Sequence, residues 1–309
     1  MSLRDLFMKI IKILDHIFIL RPMLHLPVWT IMILGYYRAQ SDTSSWTILP
    51  ISLLLGSGLF GAVFLINQIY DIESDRLNDK LHFLPKGIVK IGAAWIMTIL
   101  LNLVSLAIAF SLSFTVGFAS LMVIGLGILY SVPPISLKDK AWPAAFANGL
   151  GHGALVFIIG YCAAGGQFWD GIIKSIPYFM AVMAVYIGTT LPDIAGDKKS
   201  GKLTIGVVFG ERYSKYIILL YYITAVFAGF VIFDIPFVVA SVVVAPFYFW
   251  SAFSGSIKPV VLAVKLSIIS LTLAAGYFYP VYIIFLVVLI YATRKYYKRR
   301  FNIAYPSIK

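Results

Sequence analysis

The chain has 309 residues, of which 61% are hydrophobic and 12% are charged. A soluble domain carries about 25% charged residues, so a chain this apolar would aggregate in water, and the lipid bilayer is its expected solvent. The formal net charge is +12, but Lys and Arg stand in short gaps between apolar runs, which is typical of membrane topology and excludes a soluble nucleic-acid-binding face.

The first segment, Met1 to Asp15, mixes Arg4, Lys9 and Lys12 with Leu, Ile and Phe. It has no small-residue cleavage site before a polar stretch, so we do not expect a removed signal peptide. The pattern predicts an amphipathic helix that lies on the membrane surface.

Apolar runs long enough to cross a bilayer follow, since a crossing helix needs about 20 residues. The predicted spans are 17–38, 47–70, 88–111, 113–130, 142–164, 174–192, 214–233 and 235–253. The next apolar region, 259–292, would be roughly 50 Å long as one helix, which is too long for one crossing. Gly276 and Pro280 interrupt it, so we expect two spans or one span followed by a surface helix.

The positions of Lys and Arg predict the orientation of these spans. With the N-terminus in the cytoplasm, the outer loops hold only Arg38 and Lys174, while the inner loops hold the other loop cations, as the positive-inside rule requires. The basic run from Arg294 to Arg300 also belongs inside. An inside C-terminus needs an even number of spans, which favours dividing 259–292.

Two acidic motifs stand at the ends of predicted spans. Asn67, Asp71 and Asp75 recur every four residues at the end of the second span, and Asp193 and Asp197 repeat that spacing at the end of the sixth. Residues four apart lie on one face of a helix. Four spans separate the motifs, so both are expected at the cytoplasmic side of the membrane.

Such a gathering of carboxylates is costly next to hydrocarbon and indicates a function. Magnesium binds one or two carboxylates and fills its other positions with water and phosphate oxygens. Cations follow both motifs, among them Arg76 and Lys86 after the first and Lys198 after the second, and they could meet the remaining charge of a phosphorylated substrate. The sequence therefore predicts a site for magnesium and a diphosphate.

At these residues the chain resembles the UbiA-type intramembrane prenyltransferases, and the resemblance extends over nearly the whole chain. The shared features, in chain order, are Arg21-Pro22, Asn67-x-x-x-Asp71-x-x-x-Asp75, Tyr130-Ser131-Val132-Pro133-Pro134 with Lys138, and Asp193-x-x-x-Asp197. The resemblance implies an all-α membrane fold of nine transmembrane segments, or ten if 259–292 divides, around a central cavity that opens to lipid. It implies one domain, 1–309, with two pseudo-equivalent halves of roughly 1–140 and 141–309.

The resemblance also assigns residue roles. Asp71, Asp75, Asp193 and Asp197 would be catalytic and hold Mg²⁺, and Asn67 would help to place the diphosphate.

Five further side chains are expected to bind that diphosphate: Tyr130, Lys138, Lys198, Arg21 and Lys86. Lys86 would take the place of an Arg that many members carry in this loop.

The expected substrates are a polyprenyl diphosphate and a lipophilic acceptor, both drawn from membrane lipid, with no nucleic acid and no obligate protein partner. An aromatic quinone precursor is the first choice of acceptor, by family frequency, and geranylgeranylglyceryl phosphate of archaeal ether lipids is the second. From another class, a transporter of a charged solute stays open. Transporters place ionisable groups near the bilayer midplane, however, rather than at span ends.

A glycine-rich stretch, Gly149-Leu-Gly151-His152-Gly153, lies in the fifth span. No strand precedes it, so it is not a nucleotide-binding loop, and its small residues are expected to permit close helix packing. His152 could line the cavity near the acceptor.

Overall fold

A computed structural model describes residues 3–40, 47–77 and 83–306 of the chain. The described residues are almost all helical. The helices are α1 Leu3–Phe18, α2 Leu26–Gln40, α3 Ile48–Tyr70, α4 Ile72–Leu77, α5 Ile91–Leu112, α6 Phe114–Ser131, α7 Ala141–Ala163, α8 Phe168–Thr190, α9 Ile194–Lys199, α10 Ile205–Val231, α11 Ile235–Phe253, α12 Lys258–Phe278 and α13 Pro280–Phe301.

Within the described residues, ten helical segments are long and apolar enough to cross a membrane. The predicted all-α polytopic fold is therefore confirmed. The region 259–292 forms two helices, α12 and α13, which meet at Tyr279 and Pro280. Pro280 fits the first position of α13 because its missing N–H has no partner there. Gly276 does not interrupt α12 but lies inside it.

The entry to the first span differs from the prediction. Instead of one helix over 17–38, α1 runs to Phe18, and a 3₁₀ turn, Pro22–His25, leads into α2. Arg21 adopts a left-handed conformation with φ of 56° just before Pro22. Proline disfavours a helical residue before it, which explains the break.

Helix α2 lies at the centre of the bundle, where every residue from 28 to 36 is buried. It crosses α7 closely because both helices present glycine at the crossing. A Cβ atom on Gly160 would lie 2.0 Å from the Met32 carbonyl oxygen, and one on Gly35 would lie 2.3 Å from that of Phe157. Small residues allow this approach between membrane helices. Helix α5, in contrast, exposes Ile96, Ile99 and other apolar residues, as expected of a lipid-facing helix.

Helices α1 and α13 meet in one polar cluster. Arg300, at the end of α13, donates from Nε and Nη2 to the two carboxylate oxygens of Asp15 in α1, at 3.0 and 3.2 Å. Tyr296 donates to the same carboxylate at 2.5 Å, and its ring stacks on Phe18 with centroids 4.0 Å apart. Asp15 is buried, and this bidentate pairing compensates its charge.

A second buried carboxylate, Asp234, lies at the other end of the bundle, between α10 and α11. It accepts from the backbone N–H of Phe237 and from the Tyr178 hydroxyl, and Arg38 Nε lies 3.4 Å away. Burial raises the pKa of Asp234, and the nearby Arg38 partly opposes that change.

Candidate active site

The first acidic motif keeps its helical spacing through the end of α3. Asp71 N–H donates to the Asn67 carbonyl at 3.0 Å, and Asp75 N–H donates to the Asp71 carbonyl at 2.8 Å. Asp71 itself departs from helical geometry, with φ of −102° and ψ of 5°. The three side chains therefore follow one another at single-turn intervals, as predicted, along α3 and α4.

The second motif begins in a 3₁₀ turn, Leu191–Asp193, and continues in α9. Asp193 is exposed and Asp197 is half-buried. The backbone then turns at Gly201, whose φ is 76°, and Lys202 N–H donates to the Asp197 carbonyl at 3.0 Å. This turn directs the chain back towards the loop between α6 and α7.

That loop, residues 132–140, joins the two motifs. Lys138 Nζ lies 2.7 Å from Asp71 Oδ1, and both side chains are largely buried. On the other side, Leu203 N–H donates to the Asp139 carbonyl at 3.0 Å, and Leu203 pairs with Lys140 as an isolated parallel bridge. The structure thus places both acidic motifs at the same end of the bundle, as the sequence predicts.

A layer of hydroxyl and amide groups lies just inside the acidic residues. The side chains of Tyr186 and Asn148 lie close to the Tyr130 hydroxyl. Tyr130 interacts electrostatically with Asp71, and Tyr186 with Asp197. Tyr130 is among the residues predicted from the sequence, whereas Tyr186 is not. Its signal was its position seven residues before Asp193, which places both on one face of α8 and its continuation.

Arg21, in the segment between α1 and α2, also lies near the first motif. Its guanidinium interacts electrostatically with Asp75 and Asp71, and also with Tyr297 and Tyr305. Tyr305 follows the end of α13 and packs on Tyr297, with centroids 4.7 Å apart. Burial raises the pKa of Tyr305, and Arg21 opposes this, so its hydroxyl stays neutral at physiological pH.

The remaining predicted diphosphate-binding residues are Asn67, Lys86 and Lys198. Asn67 Nδ2 donates to Ser131 at 3.5 Å, next to Tyr130. Lys86 and Lys198 are exposed residues in the segments that follow the two motifs. Their role in binding a diphosphate stays a prediction.

The structure also limits the kind of metal site that can form. Over the described ranges, 3–40, 47–77 and 83–306, no three His, Cys, Asp or Glu side chains form a ready metal cluster. The carboxylates are nevertheless the hard oxygen donors that Mg²⁺ prefers, and Mg²⁺ habitually binds one or two of them together with substrate phosphates. The residues therefore fit magnesium that binds with a diphosphate, and do not fit an all-protein metal cage.

The comparison with known families gives the same assignment. The sequence pattern of the UbiA prenyltransferase family matches residues 28–260. The chain belongs to the UbiA prenyltransferase family. The family match includes all four motif aspartates, Tyr130, Lys138 and the loop that joins the motifs. It ends before α13 and begins after Arg21.

Two named prenyl-transferring relatives are similar over part of their length. A 2-acyl-4-prenylphloroglucinol 6-prenyltransferase of Humulus lupulus is 31% identical over 158 residues, which is 48% of this chain and 38% of that protein. A digeranylgeranylglyceryl phosphate synthase of Sulfolobus acidocaldarius is 30% identical over 183 residues, which is 58% of this chain and 63% of that protein. The match thus covers less than two thirds of the length of either relative.

Solved UbiA structures have the same fold. A UbiA homologue from Archaeoglobus fulgidus, bound to DMAPP and Mg²⁺, superposes with a TM-score of 0.67 at 22% identity. The superposition covers 85% of this chain and 99% of that one. This chain therefore contains nearly the whole UbiA fold together with additional residues.

Proposed function

We propose that the protein transfers a polyprenyl group from an isoprenyl diphosphate to a lipophilic acceptor, with Mg²⁺ as cofactor. The observation that carries this proposal is the joining of the two acidic motifs through the 132–140 loop and the Lys138–Asp71 ion pair. The diphosphate ligands bound by the Archaeoglobus homologue support it.

In this proposal the diphosphate binds between the two acidic motifs. Asp71, Asp75, Asp193 and Asp197 would hold Mg²⁺, which supplies Lewis-acid stabilisation of the leaving diphosphate. Lys138 exchanges its contact with Asp71 for the diphosphate oxygens, and Arg21 approaches from the opposite side. Asn67 and Tyr130 orient the group by hydrogen bonds. Charge placed in advance around a leaving group is the main source of such catalysis.

The reaction then takes place on the inner side of this charged layer. The allylic C–O bond breaks, and its electron pair leaves with the diphosphate. A nucleophilic carbon or oxygen of the acceptor attacks the allylic carbon and afterwards loses a proton. Phe60, Phe64 and Trp29 lie below the polar layer, and such apolar surroundings exclude the water that would otherwise capture the cation.

Apolar space for the prenyl chain exists deeper in the bundle. A cavity of about 70 Å³ lies between α2, α8, α10, α11 and α12, with Ile31, Val185 and Leu271 among its lining residues. We propose that the isoprenoid tail extends in this direction.

A hydroxylated aromatic ring of the quinone-precursor type is the acceptor that we propose first. Geranylgeranylglyceryl phosphate is the second candidate, favoured by the similarity to the Sulfolobus synthase. A transporter is disfavoured because the acidic residues lie at helix ends beside Lys138 and Arg21, and not at the middle of the spans.

The test is diphosphate release by the purified protein in lipid nanodiscs, with geranylgeranyl diphosphate and a panel of acceptors. Wild-type protein should release diphosphate and form product with Mg²⁺ but not with EDTA. Asp71→Asn should lower the rate of diphosphate release about 100-fold or more, which is the usual effect of removing one essential electrostatic group. Glu73→Gln is the matched control, because Glu73 lies in the same segment but is exposed and paired with Arg76.

Full activity of Asp71→Asn would refute the assignment of the site. Acceptor-independent solute flux without any diphosphate release would instead support a transporter.

We also propose that the acidic end faces the cytoplasm, because Lys and Arg gather there while Arg38 and Lys174 lie at the other end. Labelling of a cysteine placed at Lys199 should occur only from the inner side. The native Cys162 is buried and should give little background.

A further inference from the structure

Two histidines inside the bundle have ring nitrogens that no protein group satisfies. His25, in the turn before α2, is 2% exposed, and neither of its nitrogens has a hydrogen-bond partner among the described residues. The Pro22 carbonyl is nearby but falls outside hydrogen-bond geometry. Nδ1 of His152, in α7, is likewise buried with no partner in the described ranges. Buried polar groups are normally paired, so these nitrogens call for a ligand.

The two rings belong to one place in the bundle. The Phe64 ring lies 5.4 Å from His25 and 6.0 Å from His152, and His25 and His152 interact electrostatically. Aromatic rings flank the pair on both sides. Phe60 is 4.7 Å from His152, and Trp29 is 5.5 Å from His25.

This histidine pair lies one helical turn inside the polar layer of the candidate site. Phe64 precedes Asn67 by three residues on α3, and His152 follows Asn148 by four on α7. One turn corresponds to a rise of about 5 Å. A prenyl diphosphate whose phosphates are held at the acidic motifs would therefore place its allylic carbon close to these histidines.

Helix α7 is built to present His152 at this position. Residues Gly149–Leu155 form a π-helix, a rare geometry that recurs at functional sites. On the opposite side, Gly149 and Gly153 press against α8, where added Cβ atoms would lie 2.6 Å from Met183 and 2.7 Å from the Tyr178 carbonyl. His152 keeps some accessible surface although Gly151 and Gly153 are buried, so its ring borders internal space.

We propose that His25 and His152 bind the polar substituents of the acceptor, and that they select a hydroxylated aromatic ring. This inference rests on the proposed function. A neutral imidazole offers one donor and one acceptor, which suits hydroxyl groups, and Phe and Trp faces suit a flat ring. A phosphate dianion would instead need cations, and the side chains around this pair, Trp29, Phe60 and Phe64, supply none.

The experiment measures KM and kcat separately for each substrate, using 4-hydroxybenzoate and homogentisate as aromatic probes and geranylgeranylglyceryl phosphate as the phosphate probe. His152→Leu and His25→Leu should raise KM for the aromatic probe about tenfold, the effect of a lost hydrogen bond. KM for geranylgeranyl diphosphate and diphosphate release without acceptor should stay within about twofold. His152→Gln keeps a donor and an acceptor and should restore part of the affinity.

The matched control is Asn102→Leu, which removes another buried polar group with an unsatisfied atom, on α5. It should not change either KM. Binding of the aromatic probe without prenyl diphosphate, followed by tryptophan fluorescence, gives a readout that does not depend on turnover. If a Leu variant does not fold, His25→Phe or His152→Phe, which keeps a flat ring and removes both ring nitrogens, carries the test.

Unchanged affinity for the aromatic probe in the folded variants would overturn the inference. So would a wild-type protein that releases diphosphate but transfers its prenyl group only to geranylgeranylglyceryl phosphate, although the proposed function would stand. If the wild-type protein released no diphosphate with Mg²⁺, the proposed function itself would be refuted.

Discussion

The role of Lys138 can be tested by Lys138→Met, which removes the ammonium group and keeps most of the side-chain volume. Lys138 Nζ contacts Asp71 at 2.7 Å, and the two side chains are 10% and 17% exposed. Such a short, shielded contact is a charge-assisted hydrogen bond. In the proposed reaction this ammonium meets the leaving diphosphate.

Removing one preorganised electrostatic group from an active site costs about 10²- to 10³-fold in turnover. We therefore expect kcat/KM for geranylgeranyl diphosphate to fall by about that factor in Lys138→Met. The assay is initial-rate diphosphate release in nanodiscs at saturating Mg²⁺. If Asp71 holds Mg²⁺ as proposed, Lys138 competes with the metal for it, so half-saturation should also occur at a lower Mg²⁺ concentration in the variant.

Lys140→Met is the matched control for this prediction. Lys140 lies two residues away in the same loop, its side chain is exposed, and its bridge to Leu203 uses the backbone. Substitutions at such surface positions change free energies by about 0.5 kcal/mol or less, which is about a twofold effect. Equal rates in Lys138→Met and Lys140→Met would refute a catalytic role for Lys138.

Three further predictions concern the polar layer, the far end of the bundle and the helix crossing. Tyr186→Phe should lower kcat/KM about 3- to 10-fold, since it removes one hydroxyl of this layer and the hydrogen bond that it would offer to the substrate, while the melting temperature in detergent stays unchanged. Arg38→Met should destabilise the fold by about 3 kcal/mol in denaturant titrations at pH 8, because it leaves the buried Asp234 carboxylate uncompensated. Burial raises the pKa of Asp234, so this loss should shrink as acidic pH neutralises the carboxyl; a pH-independent loss would contradict the explanation. Gly160→Ala should destabilise by about 1–3 kcal/mol through overpacking, whereas Gly125→Ala, with open space around its Cβ position, should not; similar melting temperatures would contradict the close crossing.

Much of this architecture could be predicted from local sequence patterns. Apolar run length predicts the spans, and the spacing of Asp71 and Asp193 from their span ends, combined with loop charge, predicts their placement at one end. Helical periodicity and the positive-inside rule need no knowledge of tertiary contacts. That is why these parts agree with the structure. The pseudo-equivalence of the two halves, 1–140 and 141–309, stays a prediction.

Contacts between distant segments could not be predicted in this way. The Lys138–Asp71 pair, the proximity of Tyr130 and Tyr186, and the approach of Arg21 all depend on how helices pack. The break at Arg21 was hidden because the apolar run continues through it. Hydropathy reports burial in lipid or protein, but not which helices become neighbours.

The Asp15–Arg300 pair has a consequence for how this chain can vary. It ties a helix near the first residue to one near the last, and both flank the turn that carries Arg21. A related chain that ended before α13 would leave the buried carboxylate of Asp15 without its partner. We therefore expect related chains to carry both Asp15 and Arg300 or neither of them. Exchanging the two residues, as Asp15→Arg with Arg300→Asp, should rescue folding that either single exchange abolishes.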